Sequence, residues 1–133
     1  MKVLVDASPL IYLNVRMPDD EAKIVEEFWE RLLRSHELFV NLLVLDEVIY
    51  VSRRKYDVPF SDTLEFIDRA VLPHVEMLSL GLEAYLEARK YMVKYGLKPS
   101  DSIHAATVEV FGLQAIASED RDFDRIGIKR LWL

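Results

Sequence analysis

Short stretches rich in apolar residues alternate with helical segments along almost the whole chain. Four such stretches, at residues 3–5, 38–40, 75–80 and 114–118, have the length of buried strands, and the segments between them repeat apolar residues at helical spacing. Strands that alternate with helices favour right-handed βα units and a mainly parallel sheet. The sequence therefore predicts an α/β fold, a three-layer α/β/α sandwich with a central sheet of four or five strands, as one domain over residues 1–133.

Capping residues and periodicity set the predicted element boundaries. Asn41 can cap one helix, Pro73 ends another, and Gly96 suits the left-handed residue after a third. Residues 126–133 can add an edge strand. The predicted helices cover residues 9–14, the stripe around 24–33, and residues 42–55, 62–72, 81–95 and 98–112. In the helix over 81–95 we expect five residues to face inward: Leu82, Tyr85, Leu86, Met92 and Val93.

The charge balance excludes one simple mode of function. With 17 basic and 23 acidic residues the net charge is -6, which argues against non-specific binding to a phosphate backbone. The chain has no cysteine, which excludes disulfides and thiolate zinc sites and suits a reducing cytosol. No apolar run approaches the roughly 20 residues that cross a bilayer, and there is no signal-peptide pattern. We expect a cytoplasmic protein that does not associate with membranes.

Asp6 follows the first predicted strand at its carboxyl end. Open parallel sheets bind their ligands at this end of their strands. Ser8, followed by Pro9, has the residue types of a helix N-cap and first helical residue, so we expect Asp6 to have no capping role. A carboxylate without such a role becomes informative if other acids converge on it.

Three further groups of acids are predicted at the same edge of the sheet. Glu47 has apolar neighbours one helical turn away on either side and should be half-buried, while the adjacent Asp46 should point to water. Asp101 lies in the first turn of a helix, and Asp120 and Asp122 follow the fourth strand. Strand ends and the starts of the following helices lie along one edge of a parallel sheet, so these acids could share a pocket.

Each group also has a structural alternative. Glu47 could form an ion pair with Arg54 or with another helix. The helix macrodipole favours Asp101 in the first turn whatever its function. Residues 119–124 could form a solvated acidic turn. His104 is expected to be packed or hydrogen-bonded, and we do not expect it to bind a metal, because His36 and His74 have no spacing that suggests a joint site.

Carboxylates are the only reactive groups that the chain offers in quantity. It has no phosphate-binding glycine loop, nucleophile-elbow serine or His-Glu-x-x-His motif. Residues 120–124 do not begin an EF-hand, since Arg125 and Leu131 stand where a calcium loop needs Gly and Glu. Unpaired carboxylates in one cleft repel one another unless cations neutralise them, and hard oxygen ligands select Mg²⁺ or Mn²⁺. Two such ions can promote phosphodiester hydrolysis.

Four motifs, in this order, resemble those of the PIN domain family. They are Val-Leu-Val-Asp-Ala-Ser at 3–8, Glu47 on an amphipathic helix, Asp-Ser-Ile-His-Ala-Ala at 101–106 and Ser-Glu-Asp-Arg-Asp-Phe at 118–123. The resemblance spans nearly the whole chain and is closest to the small PIN proteins that include the VapC-type ribonuclease toxins. It implies an α/β/α nuclease that binds Mg²⁺ or Mn²⁺ and cuts RNA, leaving a 5′-phosphate. It further implies a small antitoxin that covers the active cleft, and a homodimer.

The resemblance also assigns site residues position by position. The implied catalytic and metal-binding acids are Asp6, Glu47, Asp101 and Asp120, with Asp122 as an accessory metal ligand and Ser8 and Ser118 as supporting hydroxyls. Asp46 adjoins Glu47, so the choice of the second acid depends on the burial argument.

Two other functions remain open at this stage. A PIN-like module could bind a protein partner without catalysis, with tyrosines such as Tyr50 or Tyr56 in its interface. A phospho-accepting receiver domain has a similar length and sheet, but it needs adjacent acids after the first strand, where this chain has Asp6 and Ala7.

Overall fold

Five parallel strands form one central sheet in the computed structural model, which describes residues 1–133. The strands are β1 (Lys2–Val5), β2 (Glu37–Asn41), β3 (Glu76–Leu78), β4 (Ala115–Ala117) and β5 (Arg130–Leu131). Their order is β3-β2-β1-β4-β5, so β1 lies between β2 and β4 and the strand order reverses beside it. The predicted parallel sheet is confirmed, and its carboxyl edge next to β1 is where such sheets bind ligands.

Seven α-helices connect the strands. They are α1 (Ala7–Asn14), α2 (Asp19–Ser35), α3 (Leu42–Tyr56), α4 (Phe60–Phe66), α5 (Leu82–Tyr95), α6 (Pro99–Val110) and α7 (Asp122–Arg125). A wider π-type turn over Ile67–Val71 and a 3₁₀ turn over Leu72–His74 carry the chain from α4 to β3. Asn41 caps α3 and Gly96 adopts the left-handed conformation after α5, both as predicted. None of the helices combines the length and apolar composition needed to span a bilayer.

Alternate residues of the strands face two apolar cores. Val3 and Val5 of β1 face the larger core, which α1, α2, α3 and the segment after α4 cover. Leu4, between them, faces a smaller core with Val108 of α6 and Phe123 of α7. Because successive residues of a strand point to opposite faces, helices cover both sides and the predicted three-layer α/β/α sandwich is confirmed.

The prediction for the buried face of α5 is wrong. Four of the residues expected to face inward are between 44% and 88% exposed: Leu82, Tyr85, Leu86 and Val93. The helix packs against α6, and it buries only Ala84 and Ala88. Small side chains let two helices approach closely, so the larger apolar side chains of α5 remain on its outer surface.

Candidate metal centre

A cleft of about 370 Å³ opens at the carboxyl edge of the sheet, beside the end of β1. The four acids of the predicted site all line it: Asp6 after β1, Glu47 on α3, Asp101 on α6 and Asp120 after β4. Glu119 adds a fifth carboxylate, and Lys98 is the one cationic side chain among the lining residues. A larger cavity, of about 670 Å³, is lined mostly by apolar side chains of α3 and residues 64–72 and contains none of the four acids.

Asp6 is buried and both of its carboxylate oxygens accept hydrogen bonds. Oδ1 accepts from the Ala7 backbone N–H at 2.8 Å, and Oδ2 accepts from the Ser118 hydroxyl at 2.6 Å. Asp6 is therefore the N-cap of α1, and the prediction that it has no capping role is wrong. Burial raises the pKa of Asp6, while the nearby His104 and the two hydrogen bonds oppose that rise.

Ser8, which the sequence pattern suggested as the cap, lies inside the first turn of α1. Its Oγ instead accepts from the Glu119 backbone N–H at 3.0 Å. This bond ties α1 to the loop after β4, so the hydroxyl supports the wall of the cleft rather than the start of the helix.

Glu47 is half-buried and Asp46 is exposed, as their positions on the helix predicted. The Glu47 side chain is 28% exposed, and its Oε1 lies 3.0 Å from His104 Nε2. It forms no ion pair with Arg54. The partner of Glu47 therefore comes from α6, 57 residues further along the chain.

His104 is fully buried between two acids. Its Nε2 also lies 3.6 Å from Asp6 Oδ1, and its Nδ1 lies 3.3 Å from Asn41 Nδ2. Burial opposes a positive charge on the ring, but the hydrogen bond to Glu47 and the carboxylates around it outweigh that effect and raise the pKa of His104. The expected packed, hydrogen-bonded histidine is confirmed, although sequence reasoning missed that it contacts the site. We call Asp6, Glu47 and His104 the Asp6 half of the cleft.

Asp101, Asp120 and Asp122 form the other half, which we call the Asp101 half. One carboxylate oxygen from each lies within 4.8 Å of those of the other two. Asp101 Oδ2 is buried and accepts no hydrogen bond, and the nearest ammonium group, Lys98 Nζ, is 3.7 Å away. Burial raises the pKa of Asp101 to about 7, the charge of Asp120 adds to the rise, and Lys98 partly opposes it.

The loop after β4 is organised by its own hydrogen bonds. The Ser118 hydroxyl, which donates to Asp6, accepts from the Asp120 backbone N–H at 3.0 Å and so connects the two halves. Asp120 Oδ1 accepts from the Asp122 backbone N–H at 2.9 Å. The Asp122 side chain is 46% exposed and lies 3.4 Å from Arg125 Nε. Asp122 is thus at the margin of the cleft.

The residues of the cleft fit a hard divalent cation. Five carboxylates and one ammonium group line a small volume, and like charges that are partly desolvated repel strongly. A buried carboxylate oxygen without a hydrogen bond is costly unless something neutralises its charge, and Asp101 Oδ2 accepts none and has Lys98 Nζ only at 3.7 Å. Oxygen donors of this kind suit Mg²⁺ or Mn²⁺.

The chain belongs to the PIN domain family, whose model matches residues 3–129. This match covers all four acids and both serines, and it confirms the family that the sequence motifs resemble. It also sets aside the receiver-domain alternative.

The chain is similar in sequence to a ribonuclease and in fold to solved structures that include a toxin. Ribonuclease VapC2 of Methanocaldococcus jannaschii is 24% identical over 136 residues, which cover 94% of this chain and 89% of that protein. The fold is similar to the crystal structure of VapC20 from Mycobacterium tuberculosis, a sarcin-ricin loop cleaving toxin, with a TM-score of 0.77, 16% identity and 95% of each chain covered. It is also similar to VapBC2 from Rickettsia felis bound to a promoter DNA fragment, with a TM-score of 0.72, 16% identity and coverage of 99% and 98%.

Proposed function

We propose that this protein is a Mg²⁺- or Mn²⁺-dependent endoribonuclease, the toxin of a toxin-antitoxin pair. The observation that carries the proposal is the meeting of four acids from distant parts of the chain in one cleft, with a buried oxygen of Asp101 that accepts no hydrogen bond. Membership of the PIN domain family and the likeness to ribonuclease VapC2 support the same chemistry.

In this proposal Asp6, Glu47, Asp101 and Asp120 hold the metal, and Asp122 assists from the margin. A divalent ion held there would supply activation of a water molecule and neutralisation of the charge that develops on the phosphodiester. Ser118 fixes the position of Asp6 relative to the Asp120 backbone through its two hydrogen bonds. Lys98, whose side chain is 64% exposed at the cleft, is placed to meet a substrate phosphate.

The metal requirement also explains how a chain of net charge -6 can act on RNA. Neutralising four carboxylates would leave the rest of the protein near -2, since −6 + 4 = −2. The negative charge at the cleft would then no longer repel the phosphate backbone of the RNA.

The test is cleavage of RNA by the purified protein with Mg²⁺ or Mn²⁺ and with EDTA. We expect cleavage only with metal, loss of cleavage in the Glu47→Gln variant, and normal cleavage in the matched Asp46→Asn variant, because Asp46 is exposed beside the same helix turn. A PIN-like binding module would instead cut no RNA under any of these conditions and would keep its partner after the acids are replaced.

We propose an antitoxin as the protein partner, because several solved structures with this fold are toxin-antitoxin complexes, including those from Rickettsia felis and Salmonella typhimurium. Co-expression with the neighbouring reading frame should yield a stable complex in which RNA cleavage is suppressed. The homodimer implied by the family resemblance stays a prediction, and light scattering of the purified chain would test it. The exposed apolar side chains of α5 are available for such a contact.

A further inference from the structure

His104 lies where it could either bind a metal or orient a metal ligand. Its Nε2 is 3.0 Å from Glu47 Oε1 and 3.6 Å from Asp6 Oδ1, and by distance alone it could complete a three-residue site with them. The two roles require different protonation states of Nε2. A ligand nitrogen must present a lone pair, whereas an orienting nitrogen must carry a hydrogen.

Asn41 decides between them, because its side-chain amide can take only one orientation. Asn41 Oδ1 accepts from the Val44 backbone N–H at 2.9 Å as the cap of α3. Its Nδ2 therefore faces the other way, 3.3 Å from His104 Nδ1 and 3.1 Å from Thr107 Oγ1. Turning the amide over would place its NH₂ group against the Val44 N–H, with two donors facing each other and the cap lost.

The second acceptor in this network is also fixed. The Thr107 hydroxyl donates its only hydrogen to the Ile103 carbonyl at 2.8 Å, so its oxygen accepts from Asn41. The amide group of Asn41 has two hydrogens, and the remaining one points at His104 Nδ1. Asn41, His104 and Thr107 are all fully buried, so solvent does not compete for the hydrogen bonds among them.

The proton of the neutral ring must then be on Nε2. Nδ1 faces a donor and has to accept, which leaves Nε2–H to donate to Glu47 Oε1. Resting on the proposed metal-dependent nuclease, we infer that His104 is a positioning residue: Asn41 holds it in the Nε2–H tautomer, and it orients the Glu47 carboxylate towards the metal without binding the metal itself. Outer-shell hydrogen bonds of this kind orient metal-bound carboxylates in other sites.

Paired variants of His104 test the inference through metal affinity. His104→Gln can keep an N–H near the position of Nε2, whereas His104→Leu has a similar volume and no donor. We expect the Leu variant to weaken Mn²⁺ binding, measured by calorimetry, by roughly 10-fold to 100-fold, and the Gln variant to recover most of that loss. Equal losses in both variants would point to a metal ligand, and no loss in the Leu variant would exclude both roles.

A spectroscopic measurement on the unmodified protein covers the case in which the Leu variant fails to fold. Long-range ¹H–¹⁵N spectra distinguish the two neutral tautomers from each other and from the doubly protonated ring, and a series of increasing pH identifies the range in which the His104 ring is neutral. The ring of His104 is identified by its absence in the Gln variant. We expect the Nε2–H pattern, retained when Mg²⁺ is added. An Nδ1–H pattern, or loss of the Nε2 proton on adding Mg²⁺, overturns the inference.

The outcomes also separate this inference from the proposed function. If the unmodified protein neither binds Mn²⁺ nor cuts RNA, the proposed function fails, and with it the role of His104 towards a metal. If the unmodified protein does both while His104→Leu binds Mn²⁺ normally, the proposed function stands and only the positioning role is lost.

Discussion

The two halves of the acid cleft satisfy their carboxylates in different ways. In the Asp6 half, both oxygens of Asp6 accept protein hydrogen bonds and Glu47 is paired with His104. In the Asp101 half, Asp101 Oδ2 is buried with no hydrogen bond. In the Asp6 half, protein hydrogen bonds hold the carboxylates in place. In the Asp101 half, the carboxylates of Asp101, Asp120 and Asp122 repel one another, and a bound cation would relieve that repulsion. The difference predicts that the stability of the metal-free protein depends on the two halves in opposite ways, whereas metal binding requires both halves.

The largest expected effect is on RNA cleavage, where the two halves should behave alike. Asp6→Asn and Asp101→Asn each remove a proposed metal ligand, so each should reduce the cleavage rate by more than the roughly 100-fold that an outer-shell partner costs at most. Cleavage time courses with Mn²⁺ would measure this, with Asp46→Asn as the control. A half whose variant keeps normal activity is not part of the catalytic site.

Metal binding should appear as thermal stabilisation. A ligand bound only by the folded state stabilises it by about 2.7 kcal/mol at 100 times its dissociation constant. Millimolar Mn²⁺ should therefore raise the melting temperature of the unmodified protein, and the rise should be absent or much reduced in Asp6→Asn and Asp101→Asn. The same rise in all three proteins would mean that Mn²⁺ binds elsewhere.

Without metal, the two halves should differ in sign. Asp101→Asn removes a carboxylate that neighbouring acids repel and whose Oδ2 accepts no hydrogen bond. It should therefore raise the melting temperature in EDTA at pH 8. Asp6→Asn disturbs the cap of α1 and the bond from Ser118, so it should lower the melting temperature. Equal destabilisation by both substitutions would contradict the comparison between the halves.

The pH dependence of the metal-free protein tests the contribution of Asp101 directly. The pKa of Asp101 is raised from 3.8 to about 7 in the folded state, so the folded chain binds this proton more tightly than the unfolded chain. The resulting stabilisation is fully present below about pH 4 and is lost as the pH rises to about 7. Thermal unfolding in EDTA across this range should show the loss. Asp101→Asn should lack that part of the slope, and an identical slope in both proteins would rule out Asp101 as its origin.

The smallest effect is expected at Asp122. Its side chain is half-exposed and already close to Arg125, so Asp122→Asn should weaken Mn²⁺ binding by less than roughly 10-fold. Calorimetric titration beside Asp101→Asn would rank the two positions. A loss at Asp122 as large as that at Asp101 would make Asp122 a full ligand.

Local sequence patterns were sufficient for the sheet and for the positions of the acids. The β1 run and the short apolar stretch of β2 could be recognised because strands buried on both faces need apolar residues throughout. Asp6, Asp101 and Asp120 could be placed together because strand ends and following helix starts share one edge of a parallel sheet.

The errors arose where a long-range contact decides between local alternatives. Ser8 has the residue type of a cap, but the loop at Glu119 uses its hydroxyl, and Asp6 caps α1 instead. Periodicity finds the apolar stripe of α5 without showing that Ala84 and Ala88, on another side, pack against α6. The partners of His104 are 57 and 63 residues away, so no local pattern reveals them. Buried polar residues on one helix face, His104 and Thr107, were the available signal.

The hydrogen bond from Ser118 to Asp6 spans 112 residues, and it has a consequence for synthesis of the protein. β1 pairs with β2 on one side and β4 on the other, so its pairing cannot be completed until β4 has been synthesised. A nascent chain that stops before β4 therefore lacks Ser118 and Asp120, and with Ser118 it lacks one of the two hydrogen bonds to Asp6. The cleft is therefore among the last parts of the fold to be completed during synthesis.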